Sequence, residues 1–383
     1  MTTGTPTPVT ATVLDSQGRP WAGQLVTLSA TGATATFGSS TGTTDSAGVF
    51  TTTVNVASGT APGTVVTVTA TSGPLTTPDT ATVAATITAT VSIVGNTEDV
   101  AISPDGTFAY VTGIDNRTVT RIDTATNTVV GSPIAVGTGV PYGPSGVAIS
   151  PNGSFAYVTD WNSGVVHRIN TATNSVIGSP IPTGAQPGRV EIGPNGTFAY
   201  VTNEGSDTVS RIDTATNTVT ATISVGASPF GLAISPDGAF AYVTSWGSGT
   251  VSRIDTATNT VTATISVGTN SLCVAISADG TFAYVTNTGT NTISRIDTAT
   301  NTVVDSPFTV GMGPRDVAIS PDGAFAYVTN NASGTVSQII TAIDTVTATI
   351  TVGNEPSGLA IGPNNSFAYV TQRNANAVYR LGT

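Results

Sequence analysis

The sequence predicts an all-β chain made of seven stacked four-stranded units, and three observations predict it. The phrase Phe-Ala-Tyr-Val-Thr occurs seven times, with its tyrosines at Tyr110, Tyr157, Tyr200, Tyr242, Tyr284, Tyr327 and Tyr369. Their spacings are 47, 43, 42, 42, 43 and 42 residues, and a fixed period of that size marks one supersecondary unit repeated. No stretch of useful length carries the 3.6-residue period of an amphipathic helix.

Residues 226–268 show one unit clearly. Four segments are rich in β-branched and aromatic residues: GLAIS (231–235), FAYVT (240–244), TVSRID (250–255) and TVTATISV (260–267). We label them strands A to D. Ser235-Pro236-Asp237-Gly238 separates A from B, with proline presetting φ and glycine accepting the geometry that follows. Asp255-Thr-Ala-Thr-Asn259 separates C from D; there the Asp side chain accepts backbone N–H groups and Asn tolerates left-handed geometry. Four antiparallel strands every 40-odd residues describe a propeller blade. Residues 87–383 number 297, enough for seven blades. Blades pack face to face, which explains near-continuous apolar runs such as LAI and AYV in place of strict alternation.

The last repeat stops early. After Tyr369 comes AVYRLGT (377–383) and then nothing, so its strand D is missing. Residues 88–93 (TATVSI) resemble the D strand TATISV (262–267). Residues 87–94 are therefore expected to supply the missing strand and close the ring, removing an open sheet edge.

Residues 1–86 lack the period. Alternating β segments at 9–15, 24–30, 48–56 and 63–70, separated by turn residues, predict a β-sandwich, with its last strand and a linker in 72–86. Two domains follow, 1–86 and 87–383.

The repeats resemble the YVTN family of β-propellers, on Tyr200-Val-Thr-Asn203, Tyr284-Val-Thr-Asn287 and Tyr327-Val-Thr-Asn330 with the accompanying SPDG and RIDTATNTV phrases. That resemblance covers about three quarters of the chain. It implies a seven-bladed ring and a family that includes surface-layer and other extracellular proteins, ligand binders, and some relatives with lyase chemistry. The phrases LDSQGRPWAGQLVTLSA, TTDSAGVFTTTV and GTVVTVTATSG look like a bacterial Ig-like domain of the invasin/intimin type. Such domains serve as stalks or spacers on cell-surface proteins, which implies a secreted or cell-surface location for a monomeric fragment of a larger protein.

Composition narrows the partners. The net charge is -11 and only 9% of residues are charged; all eleven basic residues are Arg. Nucleic acid needs a basic footprint and is not expected. No apolar run reaches the length of a membrane-spanning helix. The single Cys273 excludes an intrachain disulfide and a CxxC metal site. No cofactor is expected, and Ca2+ has no EF-hand-like spacing to support it.

The internal repeats act as their own comparison. The A–B and C–D turns, on one face of the ring, are nearly constant. The D–A and B–C connections, on the other face, diverge, and loops on a rigid scaffold are where function usually sits. The D–A connections bring Tyr142, Arg189, Phe230, Arg315 and Asp316, and the B–C connections bring Trp161, Trp246 and Arg373. Trp161 and Trp246 hold the same loop position in blades two and four. They suit stacking on sugar rings or anchoring a protein partner; the alternative is that each covers its neighbour's loop. Glu191 stands in strand A where the other blades carry Ala101, Ala148, Ala233, Ala275, Ala318 and Ala360. It reads as a ligand-binding or acid/base carboxylate, or as one paired with Arg189 or channel water. The repeated Arg–Asp of the RID phrase is structural because every blade has it. Streptogramin-type lyases on similar rings use a channel-facing histidine; the only histidine, His167, falls on strand C.

From these residues the expected function is a non-catalytic extracellular binding or structural module, for adhesion, surface-layer assembly or capture of a glycan or protein ligand. The ligand is expected on the face made by the D–A and B–C loops. The alternative is a carbohydrate-active lyase or hydrolase using acidic residues near the central channel.

Overall fold

A computed structural model of the chain describes residues 86–137 and 143–383 in full, and before them the strands 7–12, 25–31, 35–37, 41–43, 49–56, 67–72 and 75–79. The chain divides into two compact units, Met1–Ala84 and Ala85–Thr383.

In the first unit, Val49–Val56 pairs antiparallel with Thr7–Thr12 and with Ala35–Phe37. A second sheet runs in the order Thr41–Thr43, Leu25–Thr31, Thr67–Ser72, Leu75–Asp79.

The second unit is a seven-bladed propeller of antiparallel blades. Strands A, innermost, are Thr97–Ile102, Pro144–Ile149, Pro187–Ile192, Pro229–Ile234, Ser271–Ile276, Pro314–Ile319 and Pro356–Ile361, in blades 1 to 7. Strands B to D follow in order in each sheet. In blade 1 strand D is split into Thr128–Val129 and Ile134–Ala135. In blade 7 strand D is Thr86–Ser92, which pairs with Ala377–Gly382 and so completes the last sheet with the first strand of the unit.

The turns form for local reasons. In the A–B turn of blade 4, Asp237 Oδ1 accepts from the Ser235 hydroxyl (2.6 Å) and from the Ala239 N–H (2.9 Å), and Gly238 sits at φ 73°. In its C–D turn, Asp255 Oδ1 accepts from the Thr258 N–H (2.8 Å) and Asn259 takes φ 57°.

The repeated phrase is what joins the blades. Its tyrosine is fully buried between neighbouring sheets. In six blades the tyrosine hydroxyl donates to the left-handed Asn or Asp of the next blade's C–D turn, as Tyr200 does to Asn259 (2.7 Å). Tyr327 has no such turn to reach, because strands C and D of blade 7 come from opposite ends of the second unit. The threonine of the phrase works at the other end. In all seven blades its hydroxyl donates to a carbonyl in strand A of the next blade, at 2.5–3.2 Å. The same oxygen accepts the N–H of the third strand-A residue of its own blade, at 2.7–3.0 Å. A bulge in strand A at this point brings that N–H to the threonine.

Thr244→Val keeps the shape and leaves the Gly231 N–H and the Leu272 carbonyl unpaired in a dry interface. A loss of about 1–3 kcal/mol is expected in urea unfolding. An unchanged midpoint would show that this bond between blades carries no weight.

The arginine of the RID phrase lies over the phenylalanine of its own blade, with Arg121 4.0 Å from the Phe108 ring centre. In blade 2 the Asn–Ser pair of blade 3 (Asn203 to Ser210, 3.0 Å) is replaced by Asp160 and His167, 3.8 Å apart.

Candidate functional site

Strands A line a central channel with a cavity of about 410 Å³. Two layers of charge close its D–A end. The third residue of strand A is Gly146, Gly231 and Gly358 in blades 2, 4 and 7. At these glycines the next strand's carbonyl lies 2.5–2.7 Å from where a Cβ would stand, so the ring is tight here. In the other blades that position holds Asp99, Arg189, Cys273 and Asp316. The Arg189 guanidinium reaches from blade 3 to Asp99 in blade 1 and to Asp316 in blade 6 (2.7 Å). Above it, Glu98 accepts from Arg315 of blade 6 and Arg373 of blade 7 (2.5 Å). Arg315 also donates to Ser357 (2.7 Å). The Phe230 ring lies 6.0 Å from the Arg189 guanidinium and 5.6 Å from that of Arg315.

The electrostatics follow from this crowding. Burial works against the Arg189 charge, but Asp316 and Asp99 together hold it firmly protonated. Burial raises Asp99, and Arg189 only partly offsets it. Burial and Asp316 push the Cys273 thiol up, so it stays neutral. For Glu98, burial is outweighed by Arg315 and Arg373, and its carboxyl is pulled down from 4.5 to about 2. A depressed acid stabilises the fold above its unfolded pKa and loses that contribution as pH falls through the folded one. The Glu98 contribution is therefore complete above about pH 4.5 and lost toward pH 2. Glu98→Gln should flatten the acid limb of stability measured by denaturation between those values. An identical acid limb in the variant would contradict this.

Glu191 stands two residues beyond Arg189 along strand A, on the side away from this plug. Its side chain faces channel water, yet protein surrounds it. Burial comes first in pushing its pKa up to about 7, followed by repulsion from Asp99; Arg189 opposes, and Asp316 adds to the rise. No hydrogen bond to its carboxylate is found among the described residues. Exposure increases along most strands A toward the A–B turn, where the final Ala and Ile are half-buried while the residues before them are largely buried. The channel is thus floored at the D–A end and opens toward the A–B turns.

Of the residues singled out from sequence, Arg189, Glu191, Phe230, Arg315, Asp316 and Arg373 gather at the plug and channel. Trp161 and Trp246 do not. Trp161 donates from Nε1 to Glu204 of the next blade (3.3 Å), and Trp246, 45% exposed, lies against the 266–270 loop. Tyr142 lies outside the described residues. Glu98 and Asp99, which the sequence also places in the diverging D–A connections, complete the cluster, together with Cys273, which the sequence reads only as a small semi-buried residue. One signal was available: the third position of strand A is glycine in three blades, charged in three and cysteine in one. The D–A charges neutralise one another across the ring, and the open end of the channel lies on the face whose turns hardly vary. Among the described residues no helix is long and apolar enough to cross a membrane.

A family model described as "Lactonase, 7-bladed beta-propeller" matches residues 63–341 and 273–382. Among solved structures, the chain is similar to Kuenenia stuttgartiensis hydrazine synthase, with a TM-score of 0.70 and 23% identity over 76% of this chain and 96% of that one. At that identity the likeness concerns the fold alone. No curated protein matches by sequence. The expectation of a non-catalytic adhesion or structural module is overturned by the family match, which points to an enzyme-type propeller.

Proposed function

Because the chain belongs to the lactonase family of seven-bladed β-propellers, we propose that its channel hydrolyses a lactone, with Glu191 as general base. The observation that carries this is the single carboxylate, free of hydrogen bonds, in a layer that is alanine in the other six blades. A pKa near the working pH is what a general base needs. Ionised Glu191 takes a proton from a water as the water oxygen attacks the lactone carbonyl. When the tetrahedral intermediate collapses, the ring C–O bond breaks. Protonated Glu191 returns its proton to the leaving alkoxide, giving a hydroxy acid. Arg189 acts as a positioning residue. Its guanidinium is spent on Asp99 and Asp316, which fixes the channel floor behind the reacting water.

The reaction releases acid. With the whole chain and δ-valerolactone held at pH 8, base consumption should be proportional to enzyme and exceed the blank. A rate equal to the blank for this lactone and for glucono-δ-lactone would remove the reading.

We further infer kinship with the YVTN propellers, for which the Tyr-Val-Thr-Asn phrases speak. We also infer that the first unit is an Ig-like spacer of the kind found on cell-surface proteins. The two antiparallel sheets of that unit support this.

A further inference from the structure

Among the described residues the inner edge of strand A pairs with no other strand, so half of its backbone groups face the channel. Which half follows from the ladder. In blade 3 the Gly193 N–H donates to the Phe198 carbonyl (2.8 Å). Antiparallel pairs alternate between bonded and non-bonded, so Glu191–Tyr200 is a bonded pair and Val190–Val201 is not. The Val190 N–H therefore points away from strand B. The same register holds in the other six blades. A ring of seven N–H groups results, next to the Arg189 layer and lining the cavity.

Four of the seven are occupied by the protein's own carboxylates. Asp99 accepts the N–H of Val100 and, across the blade boundary, that of Val147, both at 2.9 Å. Asp316 accepts those of Val317 (2.9 Å) and Leu359 (3.1 Å) in the same way. One carboxylate thus spans the edge N–H groups of two neighbouring blades, twice. The remaining three belong to consecutive blades: Val190, Leu232 and Val274. Here the preceding residues are Arg189, Gly231 and Cys273, none of which has an acceptor like Asp. Among the described residues no acceptor is found for these three N–H groups, and such groups in a protein-lined channel call for a partner. A run of them beside a candidate general base is the arrangement that stabilises a developing oxyanion.

We propose that the Val190, Leu232 and Val274 N–H groups form the oxyanion site of the channel, binding the substrate carbonyl oxygen during attack and the carboxylate of the product afterwards. This rests on the lactone reading for its catalytic meaning, but not for its binding. Asp99 and Asp316 are the internal precedent: each holds a carboxylate where the product's would sit. Donors 2.7–3.1 Å from the oxyanion position are what such a site requires, and the Asp contacts meet that.

The test uses the full chain with 15N-labelled valine and leucine and sodium acetate as the probe, at pH 6. The amide signals of Val190, Leu232 and Val274 should move together with one apparent Kd. Those of Val147, Val317 and Leu359, already bonded, should not. Cys273→Asp, which places an Asp in blade 5 where blades 1 and 6 have theirs, should abolish the Val274 response. The proposal is overturned if the three signals stay still up to 100 mM acetate, or if all edge amides move alike; the wild-type titration decides even if the variant misfolds. Acetate binding at these amides without lactone turnover would end the lactone reading and leave the anion site standing. Turnover without acetate binding would do the reverse.

Discussion

Glu191→Gln should lower lactone turnover by about 10²–10⁴-fold, the usual worth of a positioned general base. Gln keeps the size and polarity and loses only the ability to take a proton. The fold should not notice. Glu191 faces channel water and accepts no hydrogen bond from the described residues, so the stability change should stay within about 0.5 kcal/mol. Activity lost with the melting temperature held is therefore the expected pair of results. Loss of both would mean that Glu191 is structural, held by Arg189 for the sake of the channel floor. Turnover within twofold of wild type would move the base elsewhere, to a group that six alanines and a capped floor do not supply.

A propeller unit that begins at Asn96 should melt about 8 °C or more below one that begins at Thr86. The segment removed is strand D of blade 7, which pairs at six positions with Ala377–Gly382. It also buries Val91 and Ile93, at 3% and 4% exposure. Two such side chains are worth about 4 kcal/mol together, and each kcal/mol moves the melting point of a chain this size by roughly 2 °C or more. The backbone effect adds to this, because Ala377–Gly382 becomes an exposed sheet edge and invites association. Equal melting curves would mean that the ring does not depend on closure by its two ends.

The ring was legible because every blade faces the same packing problem and solves it with the same residues. Tyr200 and Thr202 each hold the next blade, so the phrase that contains them could hardly vary. Its period counted the blades, and the missing last strand D pointed to residues 87–94. The channel cluster was legible only in part. Arg189, Arg315, Asp316 and Arg373 stood out as departures from the repeat. What they do depends on partners in blades far away in sequence, such as Asp99, 90 residues from Arg189. No local pattern encodes a bond that exists only once the ring closes. Divergence of the D–A loops therefore reads in sequence as a ligand face, and much of it serves to neutralise charge across the axis. For Trp161 the sequence leaves two readings open, because an aromatic beside acidic residues looks the same whether it binds a ligand or covers its neighbour's loop; the contact with Glu204 of the next blade fits the second. The three open N–H groups were invisible because they are backbone. They appear only as the blades where neither the blade itself nor the one before it carries Asp at the third position of strand A.

The pH profile of kcat/KM for δ-valerolactone, measured for wild type beside Glu191→Gln, tests the central claim most directly. A base must be ionised to act, so wild-type kcat/KM should rise through about pH 7 and level off above it. The residual rate of the variant should lack that limb. A wild-type profile without a rise near pH 7, or the same rise in both proteins, would contradict Glu191 as the base.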